Sequence, residues 1–201
     1  ATGYYAGISA EYLLGDVKDA RTSIIARLAY DVRPARFTHK GDLQPSRLII
    51  SPTEEEIINS TTEHVAEIKF AMINLDILFK YMIGNTRLGV TAGPSIGYAL
   101  TGTINQQFNL VEPNNVQFIR DPASPYQYAN FDRSIIVRDG DIPDFNALRF
   151  GIKAGLQYEI NVKKMIVVPA VWYDFGLTKL TSTENWRVNA FQAGVDVRFA
   201  L

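Results

Sequence analysis

The sequence predicts an all-β fold, an antiparallel up-and-down transmembrane β-barrel of about eight strands. Three observations carry that prediction. Apolar residues recur at every second position over long stretches. Short turns and long polar segments alternate between those stretches. The face opposite the apolar one carries many charges, as a polar lumen would.

Composition sets the frame. With 201 residues, 47% apolar and 20% charged, the chain is expected to fold as a single domain over 1–201. Lys and Arg number 20 against 21 Asp and Glu, so no basic surface points to nucleic acid. The absence of Cys excludes disulfides, thiolate metal sites and Cys nucleophiles. No apolar run reaches the roughly 18 residues of a transmembrane helix.

Seven strands follow in order. Residues 3–14 set Tyr4, Ala6, Ile8, Ala10, Tyr12 and Leu14 against Gly7, Ser9 and Glu11. Residues 22–33 set Ile24, Ala26, Leu28, Tyr30 and Val32 against Arg27, Asp31 and Arg33. Residues 73–81 oppose Ile73, Leu75, Ile77, Phe79 and Tyr81 to Asn74, Asp76 and Lys80. In 86–102, Leu88, Val90, Ala92, Pro94, Ile96, Tyr98 and Leu100 oppose Arg87, Gly89, Thr91, Gly93, Ser95, Gly97 and Thr101. Residues 147–160 are the cleanest: Leu148, Phe150, Ile152, Leu156, Tyr158 and Ile160 against Arg149, Lys153, Gln157 and Glu159. In 165–177 the alternation weakens, because Ile166, Val168 and Trp172 share the inner parity with Asp174. Residues 190–201 oppose Phe191, Ala193, Val195, Val197, Phe199 and Leu201 to Gln192, Gly194, Asp196 and Arg198. Side chains alternate across a strand, so each apolar set shares one face, and these lengths match the ~9–11 residues that cross a bilayer.

Short turns are expected at Gly15–Asp19, Gly84–Asn85 and Asn161–Lys164, with long loops at about 37–63 and 105–145 and a shorter one near 181–187. Charges facing a filled interior must pair. Glu11, Arg27, Asp31, Arg33, Asp76, Lys80, Arg87, Arg149, Lys153, Glu159, Asp174, Asp196 and Arg198 are therefore expected to form a lumenal network. Tyr4, Tyr12, Tyr30, Tyr81, Tyr98, Tyr158, Trp172 and Tyr173 suit the aromatic girdles of a membrane barrel.

Five segments carry a resemblance. Ile73–Tyr81 (INLDILFKY), Ala92–Tyr98 (AGPSIGY), Phe150–Tyr158 (FGIKAGLQY), Tyr173–Thr178 (YDFGLT) and Phe191–Phe199 (FQAGVDVRF) occur in that order. Together they resemble the PorT-like small outer-membrane barrels of Bacteroidota. Asn74 and Asp76 stand where that family usually has Glu and Pro. The resemblance implies a bacterial outer-membrane location and partners of three kinds: outer-membrane lipid, the barrel-assembly machinery and other envelope proteins. It implies that Phe191 and Phe199 belong to the terminal insertion signal, although the chain runs two residues past Phe199. It also implies a strand ahead of Ala1; the other way to reach eight is a weak strand at Arg47–Ser51.

The expected function is non-catalytic: a structural or accessory barrel that docks partners of an envelope or secretion assembly through its outer loops, with no cofactor or metal. A narrow pore for small solutes is the first alternative, an outer-membrane lipid hydrolase the second, and a soluble lipocalin-like barrel a third. Hydrolysis would draw on Ser60, Glu63 and His64, which with His39 holds the chain's only two imidazoles. Glu54-Glu55-Glu56 reads as a solvated acidic loop before a cation site. The Pro- and Tyr-rich stretch 121–128 offers Tyr126 and Tyr128 as partner contacts, and Asp132–Arg138 reads as a strand extension. Gly93–Gly97 lacks the Lys-Ser/Thr of a phosphate loop.

Overall fold

The computed structural model describes residues 2–15, 21–51, 53–183 and 185–199. The expected turn at Asp16–Asp19 and the two residues after Phe199 lie outside them. The described residues form one sheet of eleven strands and no helix. The strands are β1 (Tyr4–Leu14), β2 (Thr22–Ser51), β3 (Glu54–Met82), β4 (Leu88–Glu112), β5 (Gln117–Phe118), β6 (Gln127–Ala129), β7 (Ser134–Asp141), β8 (Leu148–Tyr158), β9 (Ile160–Val162), β10 (Met165–Gly176) and β11 (Ala190–Phe199). The main path is β1-β2-β3-β4-β8-β10-β11.

Two compact units divide the chain. The first takes Gly3–Arg33, Ala71–Leu100 and the residues from Pro143 onward. The second takes Pro34–Phe70 and Thr101–Ile142.

In the first unit, period two sets the geometry. β1 pairs antiparallel with β2 from Tyr4↔Val32 to Leu14↔Thr22. β4 pairs with β8 from Leu88↔Tyr158 to Tyr98↔Leu148, and β10 pairs with β11 from Met165↔Phe199 to Asp174↔Ala190. The apolar faces stay open to the surroundings: Leu75 is 42% exposed, Leu156 48% and Val197 51%. Large apolar side chains exposed in this number mark an interaction surface rather than a solvated face. Tyr4 and Tyr12, both exposed on β1, are eight residues apart. That is about 27 Å along a strand, close to the ~25 Å apolar band of outer-membrane barrels. Val32 departs from its expected outward place and is buried.

The tight turn between β3 and β4 places Gly84 at φ 55, where an L side chain would be strained. Its backbone closes through the Ile83 N–H to Leu88 O at 2.9 Å and the Thr86 N–H to Ile83 O at 3.0 Å.

The sheet is not closed. β1 and β11 are its edges, and alternation along the seven-strand path makes both run the same way. Among the described residues they do not pair with each other, so this path does not close on itself.

In the second unit the stretches expected as loops are largely strand. β2 runs to Ser51, β3 starts at Glu54, and β7 pairs with β4 from Thr103↔Asp141 to Asn109↔Ser134. Arg47–Ser51 is therefore the end of β2, not a separate strand. Three exposed ion pairs span the hairpin: Arg36 meets Glu67 at 3.5 Å, Lys40 meets Glu63 at 3.1 Å and Arg47 meets Glu55 at 2.8 Å. Opposite charges across a strand pair favour the ladder that polar composition alone disfavours. Leu48, Leu110, Val116 and Phe118 make a core of this unit's own, with Ile50, Ile58, Tyr128 and Ile135 packed on it. Arg133 ties its loop down. Its Nη1 donates to the carbonyls of Pro113, Asn114 and Val116 at 3.1, 2.7 and 2.8 Å, and its Nη2 to that of Leu110 at 2.9 Å. Among the described residues no strand pairs with the outer edge of β2 between Pro34 and Arg47. Pro34 and Pro45 lack an N–H there and Gly41 sits at φ 90, features that blunt an edge against further pairing.

Candidate functional site

The interior of the first unit holds twelve of the thirteen charges expected to share the inner face, and it sorts them into three neutral groups. Nearest the short turns, Lys80 pairs with Glu11 and, at 2.8 Å, with Glu159. Arg198 reaches the same two carboxylates at 2.5 and 3.4 Å. In the middle, Lys153 meets Asp76 at 2.5 Å, and Arg27 meets Asp196 at 2.7 Å. Toward the other end, Arg33 bridges Asp31 and Asp174 at 2.6 Å each, and Arg149 meets Asp174 at 3.1 Å. Two positive and two negative side chains make up each group, so each is balanced in its own neighbourhood. That is how low-dielectric charges avoid the large cost of isolation.

Arg87 does not join them. It lies exposed in the turn before β4, where its carbonyl accepts the Glu159 N–H at 2.9 Å. Its parity matches the inner face, but the strand begins one residue later, at Leu88.

Neutral side chains complete the groups. Ser23 donates to Glu11 at 2.5 Å and Ser95 to Asp76 at 2.7 Å. Asn74 and Gln192 donate to Asp31 at 3.0 and 2.8 Å. Gln157 accepts from Arg198 at 3.1 Å. The sequence signal for these was the same inner parity; what it lacked was a formal charge to draw notice.

Apolar side chains lie among them. Trp172, expected at a girdle, is instead 1% exposed inside the unit. Arg27 lies over its ring at 4.2 Å from the centroid, and Tyr5 meets it edge-on at 6.1 Å. Cation–π contact and burial together suit an indole to a charged interior better than to a lipid boundary. Ile25, Leu78 and Val168 are also fully buried. Phe191 and Phe199 lie on the outer face of β11, 73% and 68% exposed.

The second unit separates the residues considered for hydrolysis. Ser60 and His64 share a face of β3 but stand four residues apart, about 13 Å along a strand. Ser60 is hydrogen-bonded to Ser46 at 2.7 Å, Glu63 is held by Lys40, and His64 stacks on Phe108 at 4.5 Å. His39 is paired with Asp42 at 3.0 Å. Glu54, Glu55 and Glu56 are exposed, and among the described residues no group of three or more His, Asp or Glu side chains could hold a metal ion. Tyr128 is a core residue whose hydroxyl accepts the Asp121 N–H at 3.3 Å, while Tyr126 is half exposed beside a cleft. The turn before β7 places Asn130, Phe131 and Asp132 in succession at φ 51, 54 and 59, and Phe131 is 90% exposed.

An outward apolar band, an inward neutral charge network and antiparallel strands of membrane-crossing length now stand together. A family model described as an outer membrane protein beta-barrel domain matches residues 1–182. The chain belongs to this family. No curated protein and no solved structure matches. As an outer membrane β-barrel domain the protein resides in the bacterial outer membrane. β11 lies beyond the matched residues and continues the barrel domain's sheet through ten positions paired with β10.

Proposed function

We propose that this outer-membrane barrel is a non-catalytic docking subunit of an envelope or secretion assembly, with a closed lumen and a partner surface on its second unit. The observation that carries the reading is the Phe131 turn. Three successive non-glycine residues hold left-handed backbone, a costly conformation for a bulky side chain. The surroundings over-determine it: Asp132 O accepts the Phe118 N–H at 2.8 Å, Arg120 pairs with Asp132 at 2.8 Å, and Asn130 donates to Ser134 at 2.7 Å. A rigid turn that spends strain to present a bare aromatic ring fits an interface anchor. The likeness of five segments to PorT-like barrels supports the kind of assembly.

Extraction of the native protein in mild detergent should yield a stoichiometric complex with an envelope protein. Phe131→Asp should release the free barrel with stability unchanged within about 0.5 kcal/mol, because the site is exposed and Asp tolerates left-handed backbone. A wild-type protein that runs as a free barrel under every mild extraction would sink the docking reading.

The charge-paired interior predicts electrical silence. Reconstituted in a planar bilayer, the protein should show no steady, defined openings. Reproducible unitary steps would replace the closed lumen with the narrow-pore reading.

A further inference from the structure

We propose that a cleft in the second unit is a binding site for a saccharide ring. The cleft has a volume of about 330 Å³, at the small end of ligand pockets and enough for one or two sugar rings. Phe108, Phe118, Tyr126, Ile119, Ile135 and Val137 give it an aromatic and aliphatic lining. His64 stacks on Phe108 at an interplanar angle of 14° and fixes its plane, and Tyr126 is 48% exposed. Gln44, Ser46 and Thr62 add neutral polar groups to the lining.

The polar groups decide the ligand class. The Gln44 amide and the Tyr126 hydroxyl make no hydrogen bond among the described residues, so both are free to donate and to accept. Ser46 is anchored on Ser60 at 2.7 Å and Thr62 donates to Asp42 O at 3.3 Å, yet each hydroxyl keeps acceptor capacity toward the cleft. Arg47 is the one charged lining residue, and Glu55 already holds it at 2.8 Å. An anion would call for donors alone. Groups that both donate and accept match hydroxyls, which do the same. A pyranose offers that hydroxyl edge together with a C–H face that lies on aromatic rings. A purely apolar side chain would fit the apolar lining but would strip water from the amide and hydroxyls without replacing their hydrogen bonds.

The proposal goes beyond partner docking and is read separately. Full-length protein in a detergent without a sugar headgroup is titrated by saturation-transfer NMR. The probes are methyl β-D-glucopyranoside, methyl β-D-galactopyranoside, N-acetylglucosamine, L-rhamnose and maltose. Lipid-free core oligosaccharide from lipopolysaccharide forms a second arm, so that a soluble sugar and a membrane glycan are told apart, and saturation by either supports the site. At least one probe is expected to saturate in the millimolar range. Gln44→Ala and Tyr126→Ala should each weaken it about tenfold, Val137→Trp should fill the cleft and abolish it, and Phe131→Asp should leave it unchanged. The site is refuted if no sugar saturates, if the Gln44 and Tyr126 variants bind like wild type, or if N-acetylphenylalaninamide displaces the sugar.

Discussion

Replacing Asp174 with Ala is expected to cost on the order of 3–5 kcal/mol of barrel stability, as removal of one partner from a buried ion pair does. The Asp174 side chain is fully buried and receives Arg33 at 2.6 Å and Arg149 at 3.1 and 3.2 Å. Without it, Arg149 keeps one other hydrogen bond, to Val188 O at 2.8 Å, and two guanidiniums face the single carboxylate of Asp31. The double variant Asp174→Leu/Arg149→Leu should recover most of the loss, because it leaves the neutral Arg33–Asp31 pair. Glu159→Gln should cost only about 1 kcal/mol, since both of its cations retain Glu11. Urea unfolding from lipid vesicles measures all three. An Asp174→Ala protein as stable as wild type would mean that water screens the interior, and it would undo the closed lumen along with the network.

The second large effect concerns Gly155. It is the register partner of Trp172 across β8 and β10. A methyl group there would press against Trp172 Cδ1 and the Val171 carbonyl oxygen, with Trp172 Cγ only 2.9 Å away. The ring cannot swing aside, because Arg27 covers it and Tyr5 abuts it. The Val171 carbonyl belongs to the sheet backbone and has no rotamer to change. Gly155→Ala should therefore reach the top of the overpacking range, about 3 kcal/mol. Trp172→Leu alone should also cost about 3 kcal/mol through the lost ring and the cavity left behind. The double variant should cost clearly less than the two together, because the smaller side chain frees the space that the methyl needs. Strict additivity would show that Gly155 does not serve to seat Trp172.

Particular residues show how far the sequence could be read. The inner parity of Asp174, Lys153 and Arg198 was plain, because a strand turns every second side chain to the same face whatever its chemistry. Arg87 shows the limit of that rule: parity has no end marker, and this residue lies just before the strand begins. Trp172 had the inner parity too, but its chemistry pointed to a membrane interface, and only the contact with Arg27 accounts for an indole among ion pairs. The hairpin of β2 and β3 was hidden by its polarity. A signal was present nonetheless, since Arg36, Lys40 and Arg47 mirror Glu67, Glu63 and Glu55 about the bend that follows Ser51. Tyr126 and Tyr128 looked alike in sequence, and their different fates follow from which of them lies against Leu48 and Phe118.

By itself, then, the sequence determined the strand period, the two faces and the balance of charge, because these depend on side-chain type and on the local geometry of an extended chain. The tertiary structure alone decided which charge meets which. Arg27 finds Asp196 and Arg198 finds Glu11 across most of the length of the chain. Pairing energy depends on distance and burial, and those are set only when the sheet brings remote strands to face each other.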